Sequence, residues 1–277
     1  MKFPRALPFR QAVDAAQART LLPTGLRTRE FEQLVADGHA AVLERARFSA
    51  GVRSVQHLDV IDSGINDLVA GATDLATQRL AVKNFLRGTG YLAPEGERGG
   101  LQDLASDRRI NLQLSIGVQQ AQGYGWWKQG QQPDLLDAFP AREFVRVEAR
   151  EVPRADWPAR WDAARAATLA DGATASSSGR MVALVGHPLW AQLNRFGVEY
   201  EPFDFGSGMG VEDVARADAM ELGIIGRDTQ IFPQDRPFNA GLRASPEVRS
   251  GRLRQLLEET GLGRFDAQGV FIWGGGA

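Results

Sequence analysis

Cysteine is absent from the 277 residues, which excludes disulfides, iron–sulfur clusters, thiol catalysis and cysteine-ligated zinc. Histidine is almost as scarce. His39, His57 and His187 fit neither an H-x-x-x-H nor an H-E-x-x-H spacing, so the sequence assigns no metal and no cofactor. His39 and His57 fall in helical segments among charged residues and are expected to be solvated, whereas His187, before Pro188 at a strand end, is expected to cap or pack. A Ser/His/Asp triad is recognised by geometry rather than spacing, and nothing in the sequence favours one. An excess of one charge is also lacking: 32 basic residues against 34 acidic ones give a net charge of −2, with no global pull towards DNA or acidic membranes. No apolar run approaches the ~18–20 residues a membrane helix needs, and the opening MKFPRALPFRQ has no signal-peptide core. Together these absences point to a chain of cytosolic origin.

What is present is an ordinary globular composition, 43% hydrophobic and 24% charged, in a chain long enough for one large domain or two. The first ~125 residues carry helical periodicity. FRQAVDAAQAR opens it. TREFEQLVADGHAAVLERARF aligns Phe31, Leu34, Val35, Val42 and Leu43, with Thr28 as N-cap, and SVQHLDVIDSGINDLVAG aligns Leu58, Ile61, Ile65, Leu68 and Val69. Asp74 is placed to cap DLATQRLAVKNFLRGTG, which Gly88 and Gly90 end, and YLAPEGERGG is a loop. Residues 110–118, INLQLSIGV, are ambiguous. Their strict alternation argues for a strand, yet Ile110, Leu114, Val118 and Ala121 also fit a helix capped by Ser106.

Beyond Gly130 the texture changes. EFVRVEAREV and Met181–Val185 predict strands, and ADWPARWDAARAATLA predicts a helix with Pro158 near its start and Trp157 and Trp161 on one face. GATASSSG is a small, mobile polar loop. SPEVRSGRLRQLLEET (245–260) predicts a helix capped by Ser245, and RFDAQGVFIWGGGA a last strand. The expected architecture is α+β and predominantly α-helical: a helical domain over 1–130, then a smaller α+β domain over 131–277.

The stretch YEPFDFGSGMGVEDVARADAMELGI (200–224) invites a chemical reading, with Gly206, Gly208 and Gly210 around Ser207. A P-loop would need a lysine after the glycines. A dinucleotide fingerprint would need glycine at Val211 or Asp213, and a nucleophile elbow would need glycine at Phe205. Asp204-Phe205-Gly206 has no companion H-R-D kinase loop. The remaining reading is Pro202-Phe203-Asp204-Phe205 packing or docking aromatic rings. A flexible turn at Gly206-Ser207-Gly208 then feeds a helix over 211–222 that Gly223 stops, with Glu212 and Asp213 in its first turn.

Arginines crowd both ends (Arg5, Arg10, Arg19, Arg27, Arg29; Arg249, Arg252, Arg254), but interleaved acids fit a solvated face or protein interface better than nucleic acid. Six tryptophans are many for the length, and aromatic and arginine anchors dominate protein interfaces as well as cores. One enzymatic order survives as an alternative. An arginine, the patch Ser176-Ser177-Ser178, and then Glu199-Tyr200-Glu201 follow the R…S-T-S…E-x-E scheme of ADP-ribosyltransferases. There the arginine would hold NAD phosphate and the last glutamate would stabilise an oxocarbenium ion.

Several segments, taken in order, carry a family resemblance. These are FRQAVDAAQARTLLPTGLRTREFE, ARFSAGV (46–52), LRGTGYLAP, DRRINLQLSIGVQQAQGYGWW, RADWPARWDAA, VALVGHPLWAQLNRFGVEYEPFDFGSGM and VEDVARADAMELGI. Arg109, Gln120, Ala121, Gly123 and Tyr124 carry the central match. In this order the chain resembles the phage Mu F-like minor head proteins, the head-morphogenesis family of tailed bacteriophages and prophages. It departs from better-known members, which carry cysteine and histidine near their C-termini. The resemblance implies a non-enzymatic virion component, made in the host cytoplasm, that acts in capsid assembly at the portal. Its implied partners are portal and capsid proteins, with packaged DNA as a further one and no membrane. It also implies a helix over 110–118. Alternatives from other classes are the ADP-ribosyl-transferring effector and a binding protein associated with DNA packaging.

Overall fold

A computed structural model describes residues 9–37, 40–234, 243–244, 258, 263–265, 267 and 271–273. The fold is α+β and predominantly helical, a helical N-terminal part preceding a smaller α+β part. It divides into two compact units, Met1–Gln122 with Phe238–Ala277, and Gly123–Pro237. The division falls inside one helix, whereas the sequence pattern suggests a boundary at 130.

In the first unit, α1 (Arg10–Gln17) leads to the short strand β1 (Thr20–Leu21), then α2 (Thr28–Ala36), α3 (Ala40–Glu44) and β2 (Ala46–Arg47). The sequence suggests one long helix over 28–48. The structure gives two helices instead, α2 ending at Ala36 and α3 at Glu44, where 45–47 are claimed by parallel pairing with β1: Thr20 N–H donates to Arg45 O at 2.9 Å and Leu22 N–H to Arg47 O at 2.8 Å. Thr28 is the first helical residue rather than the cap; Arg27 precedes the helix, and the Glu30 side chain accepts the Arg27 N–H at 2.8 Å. His39 and the Val42 side chain lie outside the described residues.

The helices α4 (Val55–Val69), α5 (Leu75–Gly88) and α6 (Asp107–Gln129) start where local chemistry dictates. Ser54 Oγ accepts the His57 N–H, Asp74 accepts those of Ala76 and Thr77, and Ser106 Oγ accepts that of Arg109. Each oxygen satisfies a first-turn N–H that has no partner within the helix. Residues 110–118 are therefore helix. Ile110, Leu114 and Ala121 are fully buried with Ile61, Ile65 and Val82, while Leu112 and Ile116, which alternation would bury equally, lie at the sides. The 3.6-residue periodicity picks out the buried subset; the alternation is incidental. Gly117 sits where a Cβ would overlap Ile65, which lets α4 approach α6 closely.

A three-stranded antiparallel sheet, β6 (Arg243–Ala244), β7 (Gly263–Phe265) and β8 (Phe271–Trp273) in the order β6-β8-β7, gives the tail its strands. The helix expected over 245–260 lies, Glu258 apart, outside the described residues, as do Arg5, Arg249, Arg252 and Arg254.

The second unit holds α7 (Pro133–Ala138), β3 (Ala141–Arg146), α8 (Trp157–Ala167), β4 (Val182–Leu184), α9 (Leu189–Leu193), β5 (Met209–Val214) and α10 (Arg216–Glu221). The strands form an antiparallel sheet ordered β4-β3-β5. Side-chain alternation gives each face its own core. Phe144, Ala183 and Met209 pack with Trp157, Trp161, Trp190 and Phe203; Ala141, Val182 and Val214 pack with Ala219, Ile224 and Ile225.

The sequence expectation of a helix over 211–222 is corrected here. Residues 209–214 are a strand in register with β3, Phe144 opposite Val211, and only 216–221 are helical. Glu212 and Asp213 are thus strand residues, not a first helical turn. Valine suits a strand, and the pairing partner lies about 70 residues earlier in sequence, beyond any local window. Gly223, with φ of 70°, does end the helix.

Candidate functional site

The segment 200–210 organises the second unit. Glu201–Pro202 is a cis peptide bond. Phe203 is fully buried, its ring 4.9 Å edge-on from Phe144. Trp157 and Trp161 are likewise core residues: Trp161 donates its Nε1–H to Thr174 O at 2.7 Å and lies 5.5 Å from Trp190. Pro202 is buried, while Phe205 is half-buried and meets Phe196 edge-on at 5.0 Å.

Asp204 is the electrostatic centre. Its side chain is 4% exposed and accepts hydrogen bonds from three guanidiniums: Arg154, Arg160 at 3.0 Å and Arg195 at 3.2 Å. The Phe205 N–H adds a fourth at 2.7 Å. Burial alone would raise this carboxyl. The Arg160 hydrogen bond and the charges of Arg195 and Arg154 outweigh burial and hold it below the ordinary 3.8. A fourth guanidinium, Arg146, donates to Ser207 O at 3.0 Å, and Arg154 also donates to Phe205 O at 3.0 Å. Arg160 stacks on Trp157 at 4.0 Å, and Arg195 lies 5.2 Å over the Phe205 ring.

Gly206, with φ of 56°, turns the loop at the surface, and Gly208, with φ of 65°, presents no Cβ to Glu148 O. Ser207 is buried and its Oγ accepts the Met209 N–H at 3.2 Å, so its contacts are those of a turn. The serine patch 176–178 is a 3₁₀ turn held by Asp162, which accepts the Ser176 N–H at 2.9 Å and its hydroxyl. Glu201 Oε1 accepts the Val211 N–H at 2.7 Å. That N–H points away from β3 on the outer edge of β5, so the carboxylate covers an edge otherwise open to another strand. Burial raises the Glu201 carboxyl, an effect that the Val211 hydrogen bond and the charge of Arg142 oppose. Tyr124 and Trp127 meet the Tyr200 ring at 5.7 and 6.2 Å. Gly123 lies where a Cβ would overlap Glu201 O, so the glycine-tyrosine pair is a packing device.

A second polar centre lies in the first unit. Arg109 is buried and donates to Ser49 Oγ at 2.6 Å, Ala50 O at 2.7 Å and Leu101 O at 2.8 Å. Gln113, one turn on, also reaches Ser49, whereas Gln120 is half-buried on the same helix. Arg47 pairs with Asp62 at 2.7 Å; burial, with the charge of Arg19, pushes it down to about 10. His57, expected to be solvated, is instead 2% exposed, beside Phe85 at 6.1 Å. Its burial and the nearby Arg109 charge push it down to about 4. Its position on the buried stripe with Leu58 and Ile61 was the available signal. His187 caps as expected, Nδ1 accepting the Leu189 N–H at 3.1 Å.

The sequence singled out Asp204 and Trp157 but not the arginines that join them. Arg154 and Arg160 come from one stretch more than 40 residues before Asp204 and Arg195 from the loop nine residues before it, so no spacing rule connects them to the carboxylate. Among the described residues no group of acidic or histidine side chains could hold a metal ion, and no helix is long and apolar enough to cross a membrane. Compared with protein-family models, curated proteins and solved structures, the chain matches none.

Proposed function

We propose that this chain is a minor head or capsid-associated protein acting non-enzymatically in bacteriophage head morphogenesis, binding portal or capsid subunits in the assembling virion. The supporting observation is the work done by the residues that carry the family resemblance. Arg109 ties α6 to the Ser49 hydroxyl and the Ala50 and Leu101 carbonyls, Gly123 permits a backbone approach, and Tyr124 packs on Tyr200. Two further segments of the resemblance, LLPTGL (21–26) and ARFSAGV, hydrogen-bond to one another: Thr24 N–H donates to Val52 O at 2.9 Å and Gly51 N–H to Leu26 O at 2.8 Å. Such residues specify a shape, as an assembly protein requires, rather than a reaction.

The ADP-ribosyltransferase alternative gains no such support. Glu201 is engaged by a strand edge and Ser176 by Asp162. The test is mass spectrometry of purified particles from cells producing the chain, with co-purification on tagged portal and capsid subunits. Recovery in particles at low copy is expected. Particles that lack the chain, with all of it left in the cleared lysate, would refute the assignment.

A further inference from the structure

We propose that the arginine ring around the 204–207 loop binds a phosphate group. Four guanidiniums converge on this loop: Arg154, Arg160 and Arg195 on Asp204, and Arg146 on the Ser207 carbonyl. Asp204 is the carboxylate that Arg154, Arg160 and Arg195 share, and Arg146 meets the Ser207 and Arg154 carbonyls. Leaving Arg195 aside, because it has additional contacts, three guanidiniums still face one negative charge. One carboxylate balances one cation, so a local positive excess remains. It faces water, since the Arg154 and Arg160 side chains are 39% and 28% exposed and Arg146 is exposed. A guanidinium has five N–H donors in a planar fork, and Arg146, Arg154 and Arg160 use their terminal nitrogens for the contacts to the loop and the nearby carbonyls.

The ligand class follows from this geometry. A carboxylate offers two oxygens and saturates with one or two forks. A phosphate offers more oxygens around a tetrahedral centre and accepts forks from several directions. Two features fix the planes before a ligand arrives: Arg160 is stacked on Trp157, and Arg154 is pinned between Asp204 and Phe205 O. Arg160 also lies in the first turn of α8, whose positive end adds to the same field. The proposal rests on this loop and holds whatever larger assembly the chain joins.

The test uses the full chain and two probes: a short labelled duplex DNA followed by anisotropy, and inorganic phosphate or pyrophosphate followed by calorimetry. The double variant Arg146→Gln/Arg154→Gln leaves Arg160 and Arg195 on Asp204, and Arg79→Gln in the first unit is the control. At about 50 mM salt the double variant is expected to bind at least tenfold more weakly than the native chain, and the control equally well. The slope of log K against log salt for DNA is expected to drop by roughly 1–2. Binding of duplex that phosphate competes away identifies a phosphodiester backbone as the source; binding of phosphate or pyrophosphate alone identifies a free phosphate. Failure of the native chain to bind either probe, or undiminished binding by the double variant, overturns the proposal. Should the double variant lose its thermal transition, phenylglyoxal labelling of the native chain decides. Phosphate should protect Arg146 and Arg154 but not Arg79, and equal labelling with and without phosphate refutes the site.

Discussion

Removing the carboxylate of Asp204 while keeping its shape isolates the electrostatics of the loop. Breaking a buried ion pair by deleting one partner costs about 3–5 kcal/mol when the stranded charge stays buried. Here the stranded groups are arginines 39%, 28% and 35% exposed, which recover much of their hydration, so the cost falls to about 2 kcal/mol. Asp204→Asn retains an oxygen for the Phe205 N–H and is expected to lose about 1–2 kcal/mol. Asp204→Ala also forfeits that hydrogen bond, worth about 1 kcal/mol, and should lose about 3 kcal/mol. For a unit of this size, about 4 °C per kcal/mol makes these drops roughly 4–8 °C and 12 °C in the melting temperature.

The pH dependence has a definite sign. The folded carboxyl lies below its ordinary 3.8, so its contribution is complete above that value and disappears as pH falls through the folded value. Urea unfolding of the native chain and Asp204→Asn should therefore differ at pH 7 and begin to converge only below about pH 3.8. Equal stability at pH 7, or a difference that persists unchanged into acid, would refute the account of Asp204 as the shared counter-ion.

Three other perturbations have defined outcomes. His57 is held at about 4 against an ordinary 6.5, so native stability should be complete above pH 6.5 and fall by up to about 3 kcal/mol as pH drops to 4; His57→Leu should flatten that slope in urea titrations at pH 7 and 5. Glu201→Gln keeps an acceptor for Val211 without burying a charge and should match or exceed the native melting temperature at pH 7, whereas Glu201→Ala should cost about 1–2 kcal/mol and expose the β5 edge, measurable as faster aggregation by light scattering. Gly123→Ala must push a methyl into the Glu201 carbonyl and is expected to destabilise by about 1–3 kcal/mol in thermal melts, while Gly88→Ala, with open space around it, should leave the melt within about 1 kcal/mol.

The parts of the fold legible in the sequence are those whose cause is local. Asp74 and Ser106 mark helix starts because a capping oxygen acts within three residues. Trp157 and Trp161 are one turn apart and so bury together. The strand at 182–184 is a short apolar run, while β3 covers 141–146 against an expected 143–152. The site was half legible: Asp204, Phe203 and the turn glycines stood out, but only as a loop without a motif.

The sequence by itself determined where α5 and α6 begin, that the chain is predominantly helical with a smaller α+β part, and that cysteine chemistry is excluded. These follow from interactions within a turn or two of the chain and from composition. Tertiary structure alone decided four matters. Residues 209–214 became a strand because β3 supplied the hydrogen bonds, and α3 ends at Glu44 where β1 claims 45–47. His57 went into the core on the face its helix had to bury. Asp204 acquired two guanidiniums, Arg154 and Arg160, from more than 40 residues away. Each depends on partners far away in sequence, and charge and hydrogen bonding act on distance in space, which no spacing pattern along the chain encodes.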